Sequence, residues 1–198
     1  MNLWWLVVAA CGLLILSLSV AAARRPSISP AEARVFHAVN QLPDGLYPIL
    51  WLPMQLGNLV VGTAVGLAIA LFQGDIGIAV GVVLAMLLKV VVERIVRHRM
   101  QDFLAVRQRP GTSEEGAILR GDVPKTGPSF PSGHIILVAA IGTVIAPAMP
   151  AAWWWAPLLA VILVMLGRVY VGAHNPLDVT AGLGAGLLLG GIVAAVIG

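Results

Sequence analysis

The amino-acid sequence predicts an all-α integral membrane protein, a bundle of six transmembrane helices with a short interfacial helix after the first span. Three observations predict it. Of 198 residues, 59% are hydrophobic and 11% are charged, against about 25% charged in soluble domains, so lipid must be the solvent for much of the apolar surface. Six apolar stretches, 3–23, 55–72, 76–96, 133–149, 151–169 and 177–197, approach the ~20 residues that cross ~30 Å of hydrocarbon in helical form. All twelve Lys and Arg residues fall on or near one side of the topology that these stretches define.

The first stretch ends in Ala21-Ala22-Ala23, which resembles a signal-peptidase site. The apolar run exceeds the roughly 7–15 residues of a signal sequence, and Met1-Asn2 lacks a basic residue, so a retained span is expected. Ser29-Pro30-Ala31-Glu32 then reads as a capping box with Pro at the first helical position. Val35, Phe36, Val39 and Leu42 follow near one face, as in a helix lying in the membrane interface. The third span carries Lys89, Glu93, Arg94 and Arg97 toward its end, with Glu93 spaced to pair with Lys89 and Arg97. This helix is expected to run on through Met100, Phe103 and Leu104 and to stop at Pro110-Gly111. A polar loop from Thr112 to Ser129 follows, long enough to suggest function. In the sixth span Gly182, Gly186, Gly190, Ala194 and Gly198 form a row of small residues suited to close helix packing rather than chemistry. Cys11, the one cysteine, lies in an apolar run, so no intrachain disulfide is possible. No domain boundary interrupts residues 1–198.

Loops one, three and five emerge on the basic side, and Asp75 and the chain ends occupy the other. Ionisable residues close to spans are costly and are functional candidates by default. Three segments of the basic side stand out. Lys89 to Pro110 is one. In the second, Ser129-Phe130-Pro131-Ser132-Gly133-His134, an apolar helix begins straight after Ser132. Unpaired N–H groups at a helix start form an anion site; Gly133 permits close approach, Ser132 adds a hydroxyl and His134 sits in the first turn. The same residues also make an ordinary helix cap. In the third segment, Gly167 to Asp178, Arg168 ends span five, Asn175-Pro176 caps span six, and Asp178 falls at its third position. Asp178 is a normal helix-start residue, and it is also spaced to hold one nitrogen of His174 and leave the other free as a nucleophile. Together the segments assemble what phosphoryl transfer needs: a nucleophile, a proton donor and cations around the equatorial oxygens.

These residues resemble the type 2 phosphatidic acid phosphatases, or lipid phosphate phosphatases, which share an active-site plan with vanadate haloperoxidases. Pro131-Ser132-Gly133-His134 matches the family's second motif unbroken. Arg168, His174 and Asp178 match the third, with Gly167 replacing its usual Ser. The first motif, Lys-x6-Arg-Pro, departs: Lys89 is in place, but Val96 stands where Arg belongs. Arg109-Pro110 supplies the pair after an insertion, or Arg94 or Arg97 has taken the role; Arg109 is favoured, and Arg120 is a further phosphate candidate. The resemblance implies that His174 attacks phosphorus, that Asp178 orients it, and that His134 protonates the leaving oxygen. It implies that Arg168, Lys89, Arg109, Ser132 and Gly133 hold the phosphate.

The expected function is therefore a metal-independent membrane phosphatase acting on a lipid phosphate or polyprenyl pyrophosphate, with no cofactor. His134, His174 and Asp178 are nominal zinc ligands, but the surrounding cations oppose a metal. A lipid phosphotransferase using the same phosphohistidine, and a non-catalytic lipid carrier of the same fold, are the alternatives. The expected partners are the lipid substrate and membrane lipids, with no nucleic acid. His37 and His98 read as surface residues, and Trp4, Trp5, Trp51 and Trp153 to Trp155 as an interfacial aromatic belt. The location expected is a multi-pass bacterial plasma membrane, and the charge bias places the basic face in the cytoplasm.

Overall fold

The computed structural model describes residues 3–25, 27–99 and 107–198. Among them every regular element is helical, and strand-like pairing is confined to one isolated bridge between Gln108 and Pro128. The elements are α1 (Leu3–Ala23), α2 (Pro30–Asn40), α3 (Tyr47–Met54), α4 (Leu59–Phe72), α5 (Ile76–Arg99), α6 (Pro110–Ser113), α7 (Gly133–Ile145), α8 (Ala156–Tyr170) and α9 (Pro176–Ile197).

Among the described residues four stretches are long and apolar enough to cross a membrane: Leu3–Ala23, Ile76–Val96, Ala151–Tyr170 and Pro176–Ile197. A fifth is made if Asp44–Gly57 and Leu59–Phe72, which meet at a bend of 74°, act as one. Gly133–Ala148 is apolar but shorter. This is a multi-pass membrane bundle. The expected second span, 55–72, is not one straight helix. Asn58 has extended backbone, and its side chain accepts hydrogen bonds from the Val60 and Val61 amides at 3.0 and 3.3 Å, so α4 starts afresh there.

The core lies around α7. It is apolar on all sides, and every residue from Ile135 to Ile145 is buried, as expected of a helix with neighbours all round. Its neighbours are α4, α5, α8 and α9. The glycine row of α9 faces it. A Cβ at Gly186 would stand 2.5 Å from Ala139 Cβ and 2.8 Å from the Ile136 carbonyl, and one at Gly190 would stand 2.7 Å from the Ala140 carbonyl. A second small row serves α1: a Cβ at Gly184 would lie 2.5 Å from the Leu16 amide. Two backbones thus approach α9 on different sides because no side chain keeps them away.

On α2, Ser29 caps the helix by accepting the Glu32 amide at 3.2 Å. Phe36 is fully buried among Ile135, Val164 and Val179, while Val35 is exposed, so the apolar face turns onto the protein. Asn40 is also fully buried; its amide donates to the carbonyls of Ile118 and Tyr170 at 2.8 and 2.9 Å and accepts the Ile118 amide at 2.8 Å. These bonds tie α2 to the loop after α6 and to the end of α8.

The expected continuation of α5 through Met100, Phe103 and Leu104 lies outside the described residues, as do the side chains of Arg97 and His98. The expectation that this helix stops at Pro110 is corrected. Arg107 to Arg109 is already non-helical, and Pro110 opens the short α6 with extended Arg109 as its N-cap. The residue before a proline avoids helical geometry, and proline suits a helix start.

Replacing Gly186 with Val should overpack the α7–α9 contact and cost about 1–3 kcal/mol. Thermal unfolding in detergent reads this as a lowered midpoint; an unchanged midpoint would contradict the packing described.

Candidate active site

Two helix starts build the site. Ser132 is the N-cap of α7, with Gly133 and His134 in the first turn. Asn175 is the N-cap of α9, with Pro176 first and Asp178 third. The Asp178 carboxylate accepts the Asn175 amide at 2.8 Å, as a capping residue does. The two starts are joined directly: the Ser132 amide donates to the Asp178 carbonyl at 3.0 Å. Gly182, one turn further along α9, lies against the Ser132 carbonyl, where a Cβ would stand 2.7 Å away.

Between these starts and the end of α5 lies a cavity of about 520 Å³, lined by His134, His174, Lys89, Arg107, Arg109, Arg168 and Gly133, with Glu93 and Asp122. The structure therefore brings both predicted histidines and three of the four cations expected at phosphate, Lys89, Arg109 and Arg168, to one cavity. Lys89, 8% exposed, reaches it from α5 and pairs with Glu93 at 2.9 Å, the pairing expected from their spacing. Arg168 comes from the last turn of α8. Arg109 comes from the extended segment before α6 and donates to the Ala173 carbonyl at 3.0 Å, fixing the loop that carries His174. Arg94, the alternative to Arg109, is exposed and is not among the lining residues. Ser132 is fully buried; its hydroxyl oxygen and Arg168 Nε have no partner among the described residues. Gly133 leaves room that a carboxylate fills: a Cβ there would run into Glu93 Oε1. The start of α7 thus already receives an anionic group.

His174 is 4% exposed and Asp178 fully buried. His174 Nδ1 stands 3.8 Å from Asp178 Oδ2, an ionic contact longer than a hydrogen bond. Burial pushes the His174 imidazole below its ordinary range, and the charges of Arg168 and Arg109 push the same way; the Asp178 carboxylate opposes them. Burial thus favours the neutral ring, whose Nδ1 lies toward Asp178. Gly57, just before the bend into α4, lies against His134: a Cβ there would meet the imidazole Cδ2 at 2.8 Å.

One predicted phosphate contact is corrected. Arg120 does not line the cavity. Its guanidinium donates to the carbonyls of Asn40, Tyr170 and Leu42 at 2.7, 2.8 and 3.0 Å, pairs with Asp44, and lies over the Tyr170 ring. Carbonyl groups left over at the ends of α2 and α8 have captured it. His37, expected at the surface, sits 3.5 Å from the buried Glu114.

Sequence reasoning passed over Arg107. It is 3% exposed and bridges two carboxylates, Glu32 at 2.6 Å through Nη2 and Asp178 at 3.2 Å through Nε. The available signal was its spacing: two residues from Arg109 on an extended segment, both side chains point the same way. Glu32, read only as a capping residue, spends its carboxylate on Arg107 and on the Leu177 amide at 2.9 Å.

The bundle of apolar helices therefore carries at one end a cavity lined by four cationic side chains and two histidines. The PAP2 superfamily profile matches residues 76–198, and the chain belongs to that family. An undecaprenyl-diphosphatase of Sulfolobus acidocaldarius is 41% identical over 54 residues, 27% of this chain. That match takes in about a quarter, 26%, of the relative's length. Two crystal structures share the fold. LpxE of Aquifex aeolicus superposes with a TM-score of 0.66 at 24% identity, covering 83% of this chain and 92% of that one. A PAP2-type phosphatidylglycerolphosphate phosphatase of Bacillus subtilis gives 0.68 at 20% identity, covering 95% and 94%.

If Arg120 is structural, Arg120→Met should destabilise the fold by about 3 kcal/mol, because three carbonyls lose their donor. Turnover per folded molecule should stay near the starting value. A folded variant of normal stability with impaired phosphate affinity would restore Arg120 to the site.

Proposed function

We propose that this protein hydrolyses a lipid phosphate monoester or a polyprenyl pyrophosphate through a phosphohistidine, without a metal. The observation that carries the reading is the convergence of His134 and His174 on one cavity lined by Lys89, Arg107, Arg109 and Arg168. His174, held neutral by burial, attacks phosphorus through Nε2. The N–P bond forms as the bond to the leaving oxygen breaks, and His134 gives that oxygen its proton. In the second step His134 takes a proton from water, the hydroxide displaces His174, and phosphate leaves. Arg168, Lys89, Arg109, Ser132 and the Gly133 amide hold the equatorial oxygens, and fixed cations aimed at a transferring phosphoryl group can supply several kcal/mol. Asp178 orients His174 and supports its charged form. The cationic lining opposes a metal ion.

The bundle supplies a bilayer setting for the substrate's tail. In this reading the broken pair Asp44–Gly57 and Leu59–Phe72 counts as one crossing and Gly133–Ala148 as another, making six, with α2 at the interface on the active-site side. The charge bias favours the cytoplasm for that side. The same phosphohistidine would serve a phosphotransferase, which differs in its acceptor.

His174→Ala should abolish release of inorganic phosphate from a panel of lipid phosphates in detergent, while wild-type release persists with chelator. Retained turnover in His174→Ala ends the mechanism. Lowering the nucleophile's pKa keeps its ring neutral as pH falls, so the acid limb of kcat/KM should lie below about pH 6.5. A limb at or above that value contradicts a buried, cation-flanked nucleophile.

A further inference from the structure

We propose that Glu32 is a positioning residue: acting through Arg107, it holds the Asp178 carboxylate in place for His174. The inference rests on the phosphohistidine reading above. Glu32 belongs to the first turn of α2 and is not among the residues lining the cavity. Its Oε1 takes Arg107 Nη2 at 2.6 Å and the Leu177 amide at 2.9 Å, so it grips both the guanidinium and the start of α9. The same guanidinium presents Nε to Asp178 Oδ1 at 3.2 Å, while Asp178 Oδ2 accepts the Asn175 amide and faces His174 Nδ1 at 3.8 Å. Arg107 is 3% exposed and Asp178 completely buried.

The charges explain why a second carboxylate is needed. Arg107 lines a cavity that already holds Lys89, Arg109 and Arg168. A buried guanidinium there, without a partner of its own, would swing toward incoming phosphate and carry Asp178 with it or release it. Glu32 anchors its far end, so that Arg107 serves Asp178. Because Leu177 is the residue before Asp178, the Glu32 carboxylate also fixes the backbone from which Asp178 projects.

The groups facing His174 are Asp178 from α9, Arg168 from α8, Arg109 from the segment before α6, and His134 from α7. Neutralising Glu32 makes this surrounding more positive and loosens the one carboxylate that opposes it. Both changes disfavour the charged imidazole, so the acid limb moves to lower pH.

The test uses the full chain in detergent with a lipid phosphate that the wild type hydrolyses. Glu32→Gln should lower kcat about 10- to 100-fold, the scale that loss of an outer-shell partner costs at metal-bound histidines. KM should change by less than about twofold, and the acid limb should shift downward. In the Arg107→Gln background, Glu32→Gln should add little. Glu32→Asp, which keeps the charge, should recover part of kcat and serves if the Gln variant does not fold. Glu115→Gln, at an exposed position, should behave as wild type. The His174 imidazole titration in 13C-histidine-labelled protein, identified by its loss in His174→Ala, should move in Glu32→Gln and stay in Glu115→Gln. Unchanged kcat and an unmoved titration would overturn the proposal, as would a raised KM with kcat intact. If the wild type hydrolyses no lipid phosphate, the functional reading falls, and the titration still decides whether Glu32 acts on His174.

Discussion

The site depends on one hydrogen bond between backbones, from the Ser132 amide to the Asp178 carbonyl at 3.0 Å. It pins the start of α7 to the start of α9. His134 is the second residue of one helix and His174 precedes the other by two, so the bond sets how the two imidazoles face. The contact is possible because Gly182 lets the Ser132 carbonyl lie against α9. Below it, Gly186 and Gly190 continue the approach down the bundle. The small residues of α9 thus let the two helix starts that carry the motifs lie against each other.

Placing five cationic side chains near buried helix ends is costly unless each is satisfied. The structure divides them by duty. Arg120 is consumed by carbonyls and Asp44, welding α2 to α8. Arg107 is held between two carboxylates. Arg109 shares itself with the His174 loop through Ala173, and Lys89 with Glu93. Arg168 keeps a buried Nε that no group among the described residues satisfies. The Glu93 carboxylate rests on Gly133, where the helix start favours negative charge.

Local rules made much of this legible. The starts of α7 and α9 follow from an N-cap residue and a nearby Pro or Gly ahead of an apolar run, and they place His134 and Asp178 without any tertiary knowledge. The long apolar runs of α1, α5, α8 and α9 are read directly from hydropathy. What escaped involves partners distant in sequence. The ion pair between Glu32 and Arg107 crosses 75 residues, and that between Arg107 and Asp178 crosses 71; no window on the chain links them. Arg120 looked like Arg109 because residue type alone does not tell a phosphate from a helix-end carbonyl as the acceptor. The bend at Asn58 was hidden for a different reason: hydropathy averages over a polar residue whose side chain restarts the helix.

The proposed mechanism requires that His174, held by the two joined helix starts, bond covalently to phosphorus. Rapid alkaline quenching during turnover, followed by peptide mapping, should find an acid-labile phosphoryl group on the peptide carrying His174 and none on that carrying His134. Phosphate found on His134, or a productive enzyme with inverted configuration at phosphorus, would contradict it.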